Sequence, residues 1–136
     1  MVPRKVLIAE DEEDIVDMVR CVLVARGFEV RSTDNGARAF EMLKEERPDL
    51  LVTDILMPGM TGLELCRRIR EDENLNDLPV IVITSITKDS DLADGFWKIA
   101  TDSDDFITKP FSPFELADRI QKIIRGNKNP EEDTTT

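Results

Sequence analysis

Short apolar runs alternate with longer amphipathic segments along the chain. Three nearly continuous apolar runs, at 5–9, 50–53 and 80–84, are typical of strands covered on both faces. Segments 29–32 and 106–108 predict two weaker strands. Between the strands, apolar residues recur every three or four positions, which predicts amphipathic helices. Five helices are predicted, and each has apolar residues on one face. These residues are Ile15, Met18, Val19 and Val22 in the first helix, Ala39, Phe40 and Leu43 in the second, Leu63, Leu65 and Ile69 in the third, Leu92, Phe96 and Ile99 in the fourth, which lies within 90–100, and Leu116, Ile120, Ile123 and Ile124 in the fifth.

Turn and cap residues fall between these segments. Gly27 is placed to end the first helix, and Pro48 follows the second. Ser112, Pro113 and Glu115 form a capping-box pattern at the start of the last helix. A strand–helix unit repeated five times predicts an α/β fold, in which a parallel sheet has helices on both faces. The polar stretch 126–136 predicts a disordered tail or the start of a linker, so we expect one domain over residues 1–125.

Composition narrows the classes of function. The 136 residues suffice for one domain, and 18 basic against 29 acidic residues give a net charge of −11, which disfavours direct binding to nucleic acid or to anionic membranes. The absence of histidine excludes a histidine-based catalytic triad, a histidine-ligated metal and a phosphohistidine carrier. Cys21 and Cys66 form no paired motif, so we expect reduced thiols. No signal peptide or membrane span is evident, and we expect a cytoplasmic location.

Reactive side chains follow the strands at their carboxyl ends. Glu10 and Asp11 follow the first strand, Asp54 the third, Thr84 ends the fourth and Lys109 follows the fifth. Parallel sheets carry their ligand sites at this edge, where the strand order reverses. Three converging carboxylates repel one another unless a cation intervenes, and Mg²⁺ prefers such oxygen ligands. Carboxylates, a metal ion, a lysine and a hydroxyl group together favour phosphoryl transfer to a carboxylate.

Over residues 4–125 the chain resembles the receiver domains of two-component response regulators. The resemblance is carried by Glu10-Asp11, by Asp54-Ile-Leu-Met57-Pro58-Gly-Met-Thr-Gly62, which is similar to a D-x-x-M-P-x-x-x-G signature, by Thr84 and by Lys109-Pro110-Phe111. It implies a flavodoxin-like, doubly wound (βα)5 fold like that of chemotaxis receivers, with five parallel strands in the order 2-1-3-4-5. It also implies a switch that takes a phosphoryl group from a histidine kinase or a histidine phosphotransfer protein.

The resemblance assigns a phosphoacceptor and a metal site. Asp54 is the implied phosphoacceptor. Glu10, directly or through water, Asp11, Asp54 and the backbone carbonyl of Leu56 are the implied ligands of Mg²⁺, with Mn²⁺ as the alternative ion. The reaction is expected to be self-catalysed phosphorylation and dephosphorylation, so the chain is not expected to be an enzyme acting on a separate substrate.

The remaining site residues are implied in the same way. Lys109 is expected to pair with a phosphoryl oxygen and to form a cis peptide bond with Pro110. Thr84 and Phe106 are the implied switch residues, which move toward the phosphoryl group and inward, respectively.

The chain also departs from the family pattern. The segment between Thr84 and Phe106 is longer than usual, contains Asp94-Gly95-Phe96-Trp97, and has Asp102-Ser103 where Gly-Ala is common. Positions Leu56 and Ile86, which influence the hydrolysis of the acyl phosphate in the family, are both apolar. We therefore expect a long-lived phosphoryl group, because neither side chain can orient an attacking water.

The expected partners follow from the resemblance. The phosphodonor is expected to dock on the first helix, where Val16 and Val24 are predicted to face outward beside Cys21. A downstream protein target is expected on the face formed by the fourth helix, the fifth strand and the fifth helix, and phosphorylation-dependent homodimers are compatible with the family. The chain is interpreted either as a single-domain regulator or as a receiver from a longer protein.

Three other functions compete with the switch. A phosphatase with an aspartyl nucleophile would carry a second acid two residues after Asp54, where this chain has Leu56. A flavodoxin-like cofactor protein would carry a phosphate-binding loop rich in Gly, Ser or Thr after the first strand, and an acidic segment stands there instead. A receiver-like interaction module that acts without phosphorylation stays open as the alternative, because the 90–103 segment is altered.

Overall fold

The computed structural model describes residues 3–85 and 103–126. These residues form five strands and four helices: β1 (Lys5–Ala9), α1 (Glu13–Ala25), β2 (Glu29–Thr33), α2 (Gly36–Glu45), β3 (Leu50–Asp54), α3 (Gly62–Glu71), β4 (Val80–Thr84), β5 (Asp105–Thr108) and α4 (Pro113–Gly126). α4 corresponds to the last, fifth helix predicted from the sequence. The helix predicted within 90–100, together with Ile86 and the tail from 127 onward, lies outside the described residues.

All five strands are parallel and form one sheet in the order β2-β1-β3-β4-β5, which confirms the predicted order. β3 and β4 are buried along their whole length, as their continuous apolar sequences predict. β2, β3 and β5 are each one residue longer than predicted, by Thr33, Asp54 and Asp105. The added Asp54 carries a carboxylate, which therefore lies inside the strand rather than in a loop.

The sheet separates two apolar layers, because successive side chains of a strand point to opposite faces. One layer, under α2 and α3, takes Leu7 from β1 and Leu51 from β3. The other, under α1 and α4, takes Ile8 from β1 and Val52 from β3. A five-stranded sheet that is covered on both faces leaves the edge at the carboxyl ends of its strands as the place for polar chemistry.

The helix ends follow the sequence signals. Gly27 has a φ of +92° just after α1, a backbone conformation that favours glycine. The Ser112 hydroxyl accepts hydrogen bonds from the amides of Phe114 and Glu115 and so caps α4. The Glu115 carboxylate pairs with Arg119 instead of completing the predicted box.

The buried face of α1 differs from the predicted one. Val16, Val19 and Leu23 are buried, whereas Met18 is exposed and Ile15 and Val22 are only half-buried. The prediction that Val16 faces outward is therefore wrong, while Val24 and Cys21 are exposed as expected. Apolar residues almost encircle this helix, so packing against the sheet and α4, not periodicity, selects the buried face.

Over the described residues, no helix combines the length and the apolar character that a membrane crossing requires.

Candidate functional site

Three carboxylates meet at the carboxyl edge of the sheet. Glu10 and Asp11 follow β1, and Asp54 ends the neighbouring strand β3, whose register sets Ala9 beside Thr53. One carboxylate oxygen from each of the three acids lies within 4.8 Å of the others. Glu10 is 2% exposed and Asp54 4% exposed, while Asp11 faces solvent. The structure thus brings together the acids that the sequence placed at the strand ends.

Lys109 carries the positive charge of this site. Its ammonium Nζ lies 3.0 Å from Oδ2 of Asp54, 2.9 Å from Oε1 of Glu10 and 3.5 Å from Oε1 of Glu12. The backbone holds the lysine in place, since its amide donates to the Thr84 carbonyl at 2.8 Å. The peptide bond from Lys109 to Pro110 is cis. One cation just after the outer strand β5 therefore reaches two buried acids at the carboxyl ends of the inner strands β1 and β3.

The backbone around Asp54 is fixed on both sides. Oδ1 of Asp54 accepts a hydrogen bond from the Ile55 amide at 2.7 Å, and the Gly62 amide donates to the Ile55 carbonyl at 2.7 Å. Gly62 also lies against the Asp54 backbone so closely that an added Cβ would stand 2.2 Å from the Asp54 carbonyl oxygen. Only glycine permits this approach of α3 to β3. Leu56, in the loop between them, is 62% exposed.

The sequence that builds this arrangement matches a known family. The family model described as "Response regulator receiver domain" matches residues 6–121. The chain belongs to that family.

Curated relatives of this receiver are longer proteins. It is 40% identical over 124 residues to the phosphate regulon transcriptional regulatory protein PhoB of Rhizobium meliloti (strain 1021), an alignment that covers 91% of this chain and 53% of that protein. It is 31% identical over 126 residues to the DNA-binding response regulator MtrA of Mycolicibacterium smegmatis, covering 93% of this chain and 53% of that protein. The chain spans about half the length of the curated relatives that it matches.

A solved structure shares the fold closely. It is the signal receiver domain of a signal transduction histidine kinase from Syntrophus aciditrophicus, with a TM-score of 0.84, 32% identity and 93% coverage of each chain. The five-stranded order found here is therefore the fold of receiver domains, as the sequence predicted.

Burial and charge act in opposite directions on the titrating groups of the receiver. Burial raises the pKa of Glu10 to about 7, with the Asp54 charge adding to that effect, while the Glu12 amide and Lys109 oppose it. For Lys109, burial alone lowers the pKa, but the carboxylates of Glu10 and Asp54 outweigh burial and raise it above its ordinary value. Lys109 thus stays charged, and Glu10 loses its proton less readily than an ordinary glutamic acid does.

The two predicted switch residues lie on neighbouring strands of the receiver, one on the inner strand β4 and one on the outer strand β5. Thr84 ends β4 and is buried, one position after Ile83, which pairs with Asp54 across the sheet. Phe106 lies on β5 beside Val82 and packs, partly buried, against the layer under α2 and α3. Their roles as switch residues stay predictions, and the predicted rate-modulating Ile86 lies outside the described residues.

Two features escaped the sequence reasoning. The first is the direct ion pair of Lys109 with Glu10, because spacing along the chain does not reveal which acid a flexible lysine reaches. The second is the junction between β2 and α2 at Asn35-Gly36, which contacts the loop after Asp54. The Asn-Gly pair after a strand is a turn signal that could have drawn attention to it.

Proposed function

We propose that this receiver is the phosphorylation-activated switch of a two-component system, with Asp54 as the residue that accepts the phosphoryl group. The observation that carries the proposal is the position of Asp54, which lies buried at the end of a strand, beside two further acids and 3.0 Å from the Lys109 ammonium. A carboxylate held in this way can act as a nucleophile, because the lysine stabilises negative charge that gathers on an incoming phosphoryl group.

The donor set fits a hard divalent cation. Oε1 of Glu10 is buried and, among the described residues, accepts no hydrogen bond of good geometry, although the Lys109 ammonium is 2.9 Å away. Glu10, Asp11 and Asp54 supply oxygen atoms alone, which suits Mg²⁺ or Mn²⁺. In this proposal these acids and the backbone carbonyl of Leu56 hold the ion. When bound, it supplies positive charge that offsets the charge on the transferring group.

The transfer itself is a substitution at phosphorus. An oxygen of the Asp54 carboxylate attacks the phosphorus atom of a phosphohistidine on the donor protein, a new O–P bond forms, and the P–N bond breaks. The imidazole nitrogen leaves with the bonding electron pair. Lys109 keeps its proton and pairs with a phosphoryl oxygen. The chain catalyses its own modification and the later hydrolysis, and turns over no separate substrate.

The phosphorylated receiver then acts by shifting a two-state equilibrium. Thr84 moves toward the phosphoryl group and Phe106 turns inward, which changes the surface near β5 and α4 that a downstream protein binds. Homodimers that form on phosphorylation use the same face. The names of the relatives include a transcriptional regulatory protein and a DNA-binding response regulator. We therefore propose that the output is control of a DNA-binding domain, either linked to this receiver or separate from it. The proposed location is the cytoplasm.

The phosphodonor docks beside the site in this proposal. Met18 and Ile15 of α1 line a shallow apolar pocket together with Pro110 and Phe111, and Lys109 lies at its border. Met18 is exposed in this surface. A donor helix seated there brings its phosphohistidine to Asp54.

Intact-mass spectrometry tests the proposal directly. The protein is incubated with acetyl phosphate, with Mg²⁺ or with EDTA, and compared with Asp54→Asn. We expect the mass of one phosphoryl group only when both Mg²⁺ and Asp54 are present. If a folded protein gains no mass under any condition, the phosphorylation-independent interaction module becomes the better hypothesis.

A further inference from the structure

The start of α2 touches the loop that follows the phosphoacceptor. We call residues 55–61 the acceptor loop and the pair Asn35-Gly36 the β2–α2 junction. The Gly36 amide donates to the Pro58 carbonyl at 3.0 Å. A Cβ on Gly36 would lie 1.9 Å from the Met60 carbonyl oxygen and 2.8 Å from its carbon. The two backbones are therefore packed together at a distance that only glycine allows.

A second glycine completes the contact from the other side. Gly59 has a φ of +84°, and a Cβ on it would lie 2.3 Å from Oδ1 and 2.7 Å from Nδ2 of Asn35. The Asn35 side chain cannot easily give way, because its Oδ1 caps α2 by accepting from the Arg38 amide at 3.1 Å. The backbone amide of Asn35 donates to Oγ1 of Thr33 at 3.3 Å. Asn35 is thus held in place by its own hydrogen bonds, and the acceptor loop packs against it at Gly59.

The junction is also bonded to the other half of the acidic site. The backbone carbonyl of Thr33, two residues before Asn35, accepts a hydrogen bond from the Glu10 amide at 3.0 Å. Glu10 and Asp11 come from the β1 side of the carboxylate cluster, and Asp54 and the acceptor loop come from the β3 side. The junction connects these two sides through hydrogen bonds and packing contacts, and it contributes no ligand to either.

From this geometry we infer that the β2–α2 junction is a positioning element for the metal site, with Gly36 and Asn35 as its positioning residues. It fixes the acceptor loop relative to Glu10 and Asp11, so that the oxygen donors of the two sides stay at the separation that a small cation requires. The inference rests on the proposed function, because it concerns the same metal site. Mg²⁺ demands near-ideal octahedral geometry, so a small displacement of the loop weakens binding.

Substitution at either glycine displaces the loop without touching a ligand. Gly36→Ala forces the Met60 backbone away, and Gly59→Ala forces the loop away from Asn35. Partners that orient metal ligands change metal affinity by about 10- to 100-fold when they are substituted. We expect a loss of that size in Mg²⁺ affinity for both variants.

Gly27→Ala is the matched control. Gly27 has a similar positive φ of +92°, but nothing lies within 4 Å of its added Cβ, and it stands at the far end of α1. It carries the same backbone strain as Gly59→Ala without pushing on any neighbour. Any effect common to both variants is therefore due to strain and not to the position of the acceptor loop.

Mg²⁺ binding to the unphosphorylated proteins is measured by calorimetric titration, and the initial rate of phosphorylation by acetyl phosphate is measured against Mg²⁺ concentration. We expect the half-saturating Mg²⁺ concentration to rise about 10- to 100-fold in Gly36→Ala and Gly59→Ala, with the rate recovering at saturating Mg²⁺. Gly27→Ala should keep the wild-type Mg²⁺ affinity even if its melting temperature falls as far.

The outcomes separate this inference from the proposed function. Wild-type protein that binds no Mg²⁺ and gains no phosphoryl group overturns the proposed function. Wild-type protein that does both, together with folded glycine variants of unchanged Mg²⁺ affinity, overturns the inference alone. If Gly36→Ala does not fold, Gly59→Ala decides the question, because its backbone strain is controlled by Gly27→Ala.

Discussion

Replacing Lys109 by methionine removes the cation from the acidic site while keeping most of its apolar stem. The ammonium lies 2.9 Å from Glu10 and 3.0 Å from Asp54, and the side chain is only 14% exposed. At such a distance each attraction amounts to about 5.5 kcal/mol at an effective dielectric constant of 20, but much of it offsets the cost of burying the charges. Removal of one partner of a buried pair costs about 3–5 kcal/mol, and partial exposure places Lys109 near the lower value. We therefore expect Lys109→Met to lower the free energy of unfolding by about 3 kcal/mol.

Urea unfolding followed by far-ultraviolet circular dichroism measures this loss. EDTA removes metal ions, and a pH of about 8 keeps Glu10 mostly ionised in the wild type, because its pKa there is about 7. Lys44→Met is the matched control, since the Lys44 ammonium pairs with Asp72 at 3.3 Å on a side chain that is 56% exposed. An exposed pair of this kind contributes about 0–1 kcal/mol.

Addition of Mg²⁺ supplies a second, independent arm. A ligand at 100 times its dissociation constant stabilises the folded state by about 2.7 kcal/mol. If the acids of the site are the metal ligands, Mg²⁺ should restore most of the stability that Lys109→Met loses in EDTA. The reasoning is refuted if the Lys109 and Lys44 variants lose the same stability, or if Mg²⁺ stabilises neither the wild type nor Lys109→Met.

Three further predictions follow from individual residues. In EDTA, the folded protein favours the neutral form of Glu10, because its pKa is raised from 4.5 to about 7. The wild type therefore loses stability as the pH rises from about 4.5 to about 7, whereas Glu10→Gln has no proton to lose. Urea unfolding at each pH should show the free energy of unfolding of Glu10→Gln increasing relative to that of the wild type over this window and levelling off above it. Replacing Leu56 and Ile86 by polar residues should speed hydrolysis of the acyl phosphate, measured as the decay of the phosphorylated mass; an unchanged decay rate argues against the water-orientation explanation. Arg70→Ala should lower the free energy of unfolding by about 1–3 kcal/mol, because Arg70 donates to the Leu78 and Asn76 carbonyls and pairs with Asp104. Arg67→Ala breaks only exposed pairs within α3 and should change the free energy of unfolding by about 0.5 kcal/mol or less, as measured by urea unfolding. Equal losses in the two arginine variants would contradict the special role of Arg70.

The strands could be predicted from the sequence because burial on both faces makes them continuously apolar. β1, β3 and β4 have this pattern, and each prediction came within one residue of the observed strand. The meeting of Glu10, Asp11 and Asp54 could be predicted because parallel strands end at a common edge. These inferences need only periodicity and topology.

Tertiary detail could not be predicted in the same way. In α1 both Val16 and Met18 fit a helical stripe, and only the packing of the helix against the sheet and α4 determines that Val16 is buried. The contact of Gly36 with Met60 joins two loops that are distant in sequence, and it depends on the backbone path of both. Interactions of this kind appear only after the elements have been placed.

The outer strand β2 has a consequence for how the protein behaves in concentrated solution. β2 pairs with β1 on one side, and its sequence places Glu29 and Arg31, both exposed, around the half-buried Val30. Glu29 and Arg31 take part in ion pairs with Lys5 and Glu46, so the margin of the sheet is lined with charges of both signs. Another molecule could extend the sheet only by pairing one of its strands with this edge. Its side chains would then have to pack against those charges and desolvate them. β2 therefore protects the sheet from growing into an intermolecular aggregate, and replacing Glu29 and Arg31 by valine would remove that protection while leaving the acidic site at the carboxyl edge unchanged.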